Sequence, residues 1–220
     1  MNGYNMHVYA SDTVDRRMAP FIIALVAIGI SWIIFQIIAA SKVIFPWWLE
    51  APSVMGMYGI IYKLYDQLLW HMRIKNIPLS LISDMRGTWC IEIRSSYDDR
   101  KYFGVLYLRQ SWSKILIELQ TEYSRSFSIM ANLTEKKSSE MGLKYEYRNE
   151  PKSLSESTMA QHKGTTHLRP VLGDKDALEG EYYSDKGRGN FGQMRCERIS
   201  QRMINYKLAV QQCSVIMNDE

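Results

Sequence analysis

The sequence predicts a membrane-anchored all-β protein, with two transmembrane helices near the N-terminus and an eight-stranded antiparallel β-barrel behind them. Three observations carry this prediction. An uncharged apolar run fills Phe21–Ala40, and a second apolar stretch follows at Pro52–Trp70. From Gly87 onward the hydrophobic period changes from helical to two. The chain therefore divides into residues 1–76 with the two spans (about 21–40 and 52–70), a barrel domain over 77–200, and a tail over 201–220 that matches no usable pattern.

The first span reads FIIALVAIGISWIIFQIIAA, interrupted only by Ser31, Gln36 and small residues. At about 1.5 Å per residue it crosses a hydrocarbon layer of about 30 Å. It is too long for the apolar core of a secretory signal, and no small-x-small site clearly ends it. The second span, PSVMGMYGIIYKLYDQLLW, carries Lys63 and Asp66. Their i, i+3 spacing puts them on one helical face, where they can pair. Charges inside a membrane helix suggest function. Placed at the headgroups they would simply snorkel, and Trp70, His71 and Arg73 mark such an interface. Phe45, Trp47 and Trp48 in the connector read as an interfacial belt. Arg16 and Arg17 precede the first span, Arg73 and Lys75 follow the second, and the connector has only Lys42. This asymmetry predicts both termini, and the barrel, on the cytoplasmic side.

Eight strands are predicted: 88–94, 102–110, 114–120, 124–133, 143–148, 166–172, 178–184 and 192–198. β-branched and aromatic residues fill them, and turn signals such as SYDDRK, TEKKSSEMG, LGDKD and SDKGRGN separate them. Short turns without intervening helices argue an antiparallel meander. Eight such strands can close into a lipocalin-like barrel with room for one small ligand; a sandwich is the alternative. The polar gap Asn149–Gly164 reads as a flap over one barrel end.

A chain of 220 residues has room for one soluble domain beside its spans. The net charge of +4 suits a domain near an anionic leaflet or an anionic ligand. Cys90, Cys196 and Cys213 are odd in number and widely spaced, without a CxxC. They read as reduced thiols, and neither a zinc site nor a disulfide scaffold is expected.

No nucleophile–base motif, phosphate-binding loop, GxGxxG or HExxH occurs, so nothing supports an enzyme, a metal or a cofactor. What remains is a set of polar and aromatic residues along the strands. Tyr107, Arg109 and Trp112 lie at the end of the second strand. Ser126 and Ser128 share a face of the fourth. Tyr145, Tyr147 and Asn149 share a face of the fifth. His162 and Thr165 precede the sixth, and Tyr182 and Arg188 flank the GRGN turn. Aromatic faces stack on bases, arginine pairs with phosphate oxygens, and small polar groups read base edges. Taken singly, each has a plain structural explanation, since tyrosines are common in strands and GRGN is an ordinary turn. Together they make a candidate site for a nucleotide-like ligand.

Two spans lead directly into a domain beginning GTWCIEI. Then come YLRQSWSKILIELQTEYSRSFSIMANL, LKYEYRNEP, HKGTTHL and LEGEYYSDKGRGNFGQM. In this order, from about Pro20 to Ile199, the chain resembles the two-transmembrane, β-barrel effectors of bacterial cyclic-oligonucleotide-based antiphage signalling (CBASS). The resemblance implies that a partner nucleotidyltransferase makes a cyclic dinucleotide and that the barrel binds it. It further implies homo-oligomerisation in the bacterial inner membrane, bilayer disruption and death of the infected cell. A membrane-anchored carrier or sensor of an apolar ligand, and an interaction module without a ligand, are the other readings left open.

Overall fold

The computed structural model describes residues 4–40, 54–96, 100–135, 141–152, 161–185 and 189–216. They divide into two compact units. One comprises Asp12–Ile82, the other Met1–Ser11 together with Ser83–Glu220.

The helical unit begins with α1, Asp15–Ala40. It is long and apolar enough to cross a membrane. Ala19, Ile23 and Ala27 form an i, i+4 stripe that is buried, while Phe21, Leu25, Ile28, Trp32 and Phe35 are exposed. Four-residue spacing puts that stripe on one face, which packs on α2, Val54–Leu64. Pro20 is the sixth residue of α1, so it removes one intrahelical hydrogen bond, the one to the Arg16 carbonyl. A π-helical turn at Tyr65–Leu69 continues α2. Its extra residue per turn offsets the plain i, i+3 relation expected for Lys63 and Asp66. The Phe45–Trp48 belt and the first two residues of the predicted second span lie outside the described residues. A small hairpin ends this unit.

The second unit is a closed barrel. The N-terminal segment supplies β1 (His7–Val8) and β2 (Ala10–Ser11), and β3 and β4 are the two strands of the small hairpin, Arg73–Ile74 and Ile77–Pro78. The barrel strands are β5 (Gly87–Ser95), β6 (Lys101–Gln110), β7 (Lys114–Thr121), β8 (Ser124–Thr134), β9 (Gly142–Pro151), β10 (His162–Pro170), β11 (Ala177–Ser184) and β12 (Phe191–Ser200). Each pairs antiparallel with its neighbour, and β12 closes on β5 from Gly192↔Ser95 to Ser200↔Thr88. The eight predicted strands are all present. The sixth begins at His162 rather than Thr166, so HKGTT is strand, and parts of the expected flap at 149–151 and 162–164 belong to β9 and β10.

One seam is weak. β7 and β8 pair only over Glu118–Gln120 and Arg125–Phe127, beside a bulge between Ser128 and Met130. Beyond it the N-terminal segment enters the gap. His7 and Val8 pair with Ile115 and Lys114, and Ala10 and Ser11 run parallel to Asn132 and Leu133. His7 Nε2 lies 2.7 Å from Ser128 Oγ, which also accepts the Ile117 N–H.

The barrel half near this entry is solid. Trp89, Leu106, Leu108, Ile115, Leu133, Leu143, Leu168 and Leu178 are fully buried there. Gln110 ties the core to both chain entries. It accepts the Met85 N–H and donates to Tyr9 Oη and the Ser83 carbonyl.

The stretch after Ser200 is not a patternless tail. It forms α3, Tyr206–Ile216, whose first turn is capped by Asn205 Oδ1 accepting the Lys207 N–H. Ala209 and Cys213 pack against Cys90, Val105 and Tyr107 on the barrel's outer face. Cys90 and Cys213 form a disulfide, 123 residues apart in the chain. The expectation of three reduced thiols is therefore corrected. Only the folded position of α3 brings these two residues together, and sequence spacing gives no hint of it. Cys196 remains a thiol inside the barrel, and burial pushes its pKa upward.

Candidate functional site

Alternation along the strands sorts side chains into the barrel or out of it. In the half remote from the N-terminal segment the inward positions leave a cavity of about 570 Å³. That lies within the usual range for small-molecule sites. Tyrosines dominate its wall: Tyr102 from β6, Tyr123 from the β7–β8 turn, Tyr145 and Tyr147 from β9, and Tyr182 from β11. Ser95, Thr121, Ser124, Ser126, Thr166, Ser184, Asn149 and Asn190 add hydroxyls and carboxamides, and Arg100 and His162 add basic groups. Ile93, Ile117, Leu119 and Met194 supply the apolar part.

Two glycines make room for the rings. A Cβ on Gly164 would strike the Tyr147 phenol, and one on Gly192 would strike the Tyr182 ring. Gly164→Ala should therefore displace Tyr147, lower stability by about 1–3 kcal/mol and weaken ligand binding. Denaturant midpoints and calorimetry on the same variant check both effects; unchanged values in both would mean the ring has space elsewhere.

The tyrosines form a connected set. Tyr145 and Tyr147 lie with centroids 6.3 Å apart, and Tyr147 meets His162 edge-on at 6.3 Å. Burial pushes the Tyr145 phenol well above its usual range, partly opposed by Thr166, so it stays a neutral hydroxyl able to donate and accept. Asn149 is buried opposite His162 in the β9–β10 register, and its Oδ1 accepts from Ser126 Oγ at 2.8 Å.

Of the residues expected from sequence, the cavity gathers Ser126, Tyr145, Tyr147, Asn149, His162 and Tyr182. The others lie elsewhere. Tyr107 points outward and is covered by α3, where burial and then Glu118 raise its pKa. Arg109 is also outward, 3.6 Å from Glu118, a carboxylate that Arg125 bonds as well. Trp112 is buried in the β6–β7 turn at the opposite barrel end. Ser128 sits in the β7–β8 seam with His7. Thr165 is exposed on the outer face, because Gly164 and Thr166, paired with Tyr147 and Tyr145, hold the inward positions of β10. Arg188 falls outside the described residues. Arg100, Tyr102, Tyr123 and Thr166 were missed. Tyr102 shares inward parity with Leu106 and Leu108, a signal present in the sequence. Arg100 lay in a segment read only as a turn.

Residues 80–198 match the family model described as Cap15, cyclic dinucleotide receptor domain. The chain belongs to the Cap15 family. It is also 30% identical over 148 residues to CD-NTase-associated protein 15 of Yersinia aleksiciae, covering 67% of this chain and 70% of that protein. The matched Cap15 region takes in the eight barrel strands except the last two residues of β12, and the whole cavity wall, while β1, β2 and α3 lie outside it. This membership in the CBASS-associated family accords with the resemblance read from the order of the sequence blocks.

Proposed function

We propose that this protein is an antiphage effector whose barrel binds a cyclic dinucleotide made by a partner nucleotidyltransferase. In this proposal ligand binding drives homo-oligomerisation in the bacterial inner membrane, and the assembled helices disrupt the bilayer. The observation that carries the binding step is the cavity: several aromatic faces around hydroxyls and carboxamides, with Arg100 among the wall residues. Such a ligand has two bases that stack on aromatic rings and two phosphodiesters that accept from arginine and hydroxyl donors. Family membership supports the same ligand class. The polar wall disfavours the apolar-ligand carrier, which would need an aliphatic interior.

A panel of cyclic dinucleotides against the melting curve tests this. A ligand at a hundred times its dissociation constant adds about 2.7 kcal/mol to folded-state stability. Absence of a shift with every cyclic dinucleotide, alongside a shift with a lipid extract, would move the assignment to the apolar-ligand reading. Within the site, Arg100→Ala should weaken binding by about 1.5–3 kcal/mol, as expected for a lost charge-assisted phosphate contact, with melting temperature of the free protein little changed. Wild-type affinity in that variant would remove Arg100 from the site.

The membrane part rests on the apolar exposed surface of α1 and on the Lys and Arg distribution. The reading puts both termini in the cytoplasm and residues 42–48 in the periplasm. Reporter fusions after Glu220 and within 42–48 check this, and periplasmic activity of the C-terminal fusion would contradict it, since the messenger is made in the cytosol.

A further inference from the structure

The N-terminal segment is seated in the weakest seam of the cavity wall. β7 and β8 are joined at three ladder positions, against seven or more at every other barrel seam. These two strands are also wall, since Ile117, Leu119, Ser124 and Ser126 line the cavity. Where they part, residues 7–11 fill the gap and pair with both. That pairing is short, and side chains add to the attachment. The Tyr4 ring stacks on Phe127 with centroids 3.8 Å apart, and its hydroxyl donates to Glu150 Oε1 at 2.5 Å. His7 Nε2 meets Ser128 Oγ, and Tyr9 Oη donates to the Ser111 carbonyl.

The groups that hold this segment are chain neighbours of cavity residues. Inside the barrel Ser126 donates to Asn149 across β8 and β9. Outside, the next residue of each strand, Phe127 and Glu150, holds Tyr4. Ile117 lines the cavity, and its N–H is taken by the same Ser128 Oγ that His7 meets. Successive residues of a strand point to opposite faces on one backbone, so a ligand that shifts Ser126, Asn149 or Ile117 shifts these anchors with them. A segment held by so few backbone bonds opens more readily than the barrel around it. The chain then runs through Asp12, Thr13 and Val14 into α1. Building on the proposed messenger-binding role, we propose that Tyr4–Ser11 is a releasable strap. Seated in the seam it holds the resting state, and an occupied cavity favours its release, which frees the chain leading into α1. The coupling is reciprocal: loosening the strap tightens ligand binding, and fixing it weakens ligand binding.

The full chain in detergent, titrated calorimetrically with cyclic di-AMP, cyclic di-GMP and cyclic di-UMP, tests this on whichever ligand binds the wild type most tightly. Tyr4→Ala should tighten affinity threefold or more, and His7→Ala should change it in the same direction. Val8→Cys with Lys114→Cys, at positions that face each other in the ladder, fixes the strap on oxidation. The oxidised pair should bind threefold or more weakly and recover on reduction, with reductant on the wild type as the control for Cys90–Cys213. Affinity unchanged or weakened in Tyr4→Ala, or unchanged in the oxidised pair, would overturn the strap while leaving the binding role intact. Binding of none of the three ligands by the wild type would count against that role itself, and the strap would fall with it.

Discussion

Opening the Cys90–Cys213 bond should lower the stability of the barrel unit by about 3–5 kcal/mol. A cross-link restricts the unfolded chain more as the loop it closes lengthens, and this loop spans 123 residues. The bond also holds α3 on the barrel wall, where Ala209 and Cys213 cover Val105 and Tyr107. Once it opens, the short helix is retained mainly by that contact, which Ile199, Ile204 and Tyr206 border. Urea unfolding of the wild type with and without reductant, compared with Cys213→Ser, measures the effect. Reduced wild type and Cys213→Ser should unfold at the same, lower denaturant concentration. Coincidence of all three curves would mean that the cross-link contributes nothing. On the cytoplasmic side expected from the Lys and Arg count, the glutathione pool opposes the bond. The measured difference therefore states how firmly α3 is held in that compartment.

The second large effect concerns killing. Two helices cannot enclose a water path, and every backbone polar group in hydrocarbon must be satisfied internally. Bilayer disruption by this protein would thus require several chains, and a ligand shifts their assembly only by its differential affinity for the assembled state. Gly29 on α1 and Gly59 on α2 have open space where a Cβ would stand, with no atom of the described residues within 4 Å of it. Such positions allow close approach of helices from other chains. Gly29→Leu, or charge reversal at Asp66, should abolish membrane-dye uptake in cells expressing the cognate synthase while leaving cyclic dinucleotide affinity unchanged. Wild-type permeabilisation in both variants would reduce the helices to an anchor and remove bilayer disruption from the proposed mechanism.

The barrel is legible because inward and outward residues alternate along most of each strand. Trp89, Ile91 and Ile93 against Cys90, Glu92 and Arg94 already state which face is which. The site was half legible for the same reason. Tyr145, Tyr147 and Asn149 share one parity and reach one cavity, but Tyr107 and Arg109 share the opposite parity to Leu106 and Leu108 and face outward. HKGTT reads as a loop, in which side chains have no parity; as strand it alternates, and His162, Gly164 and Thr166 face inward while Thr165 faces out. β1, β2 and α3 were illegible for another reason. Their pairing partners lie far away in the chain: His7 meets Ser128 at a separation of 121 residues. Such short segments have no periodicity of their own to announce a role.

The two-residue strands at the N-terminus constrain how the chain can thread a bilayer. β1 and β2 are hydrogen-bonded into β7 and β8, so a lipid layer cannot lie between them and the barrel. α1 begins at Asp15, just after this segment, and the barrel unit resumes at Ser83. Any membrane that α1 crosses must therefore be recrossed between Ala40 and Ser83, making the number of passages even. That parity comes from strand pairing. It holds independently of hydropathy, of Lys and Arg counts, and of the length of α2.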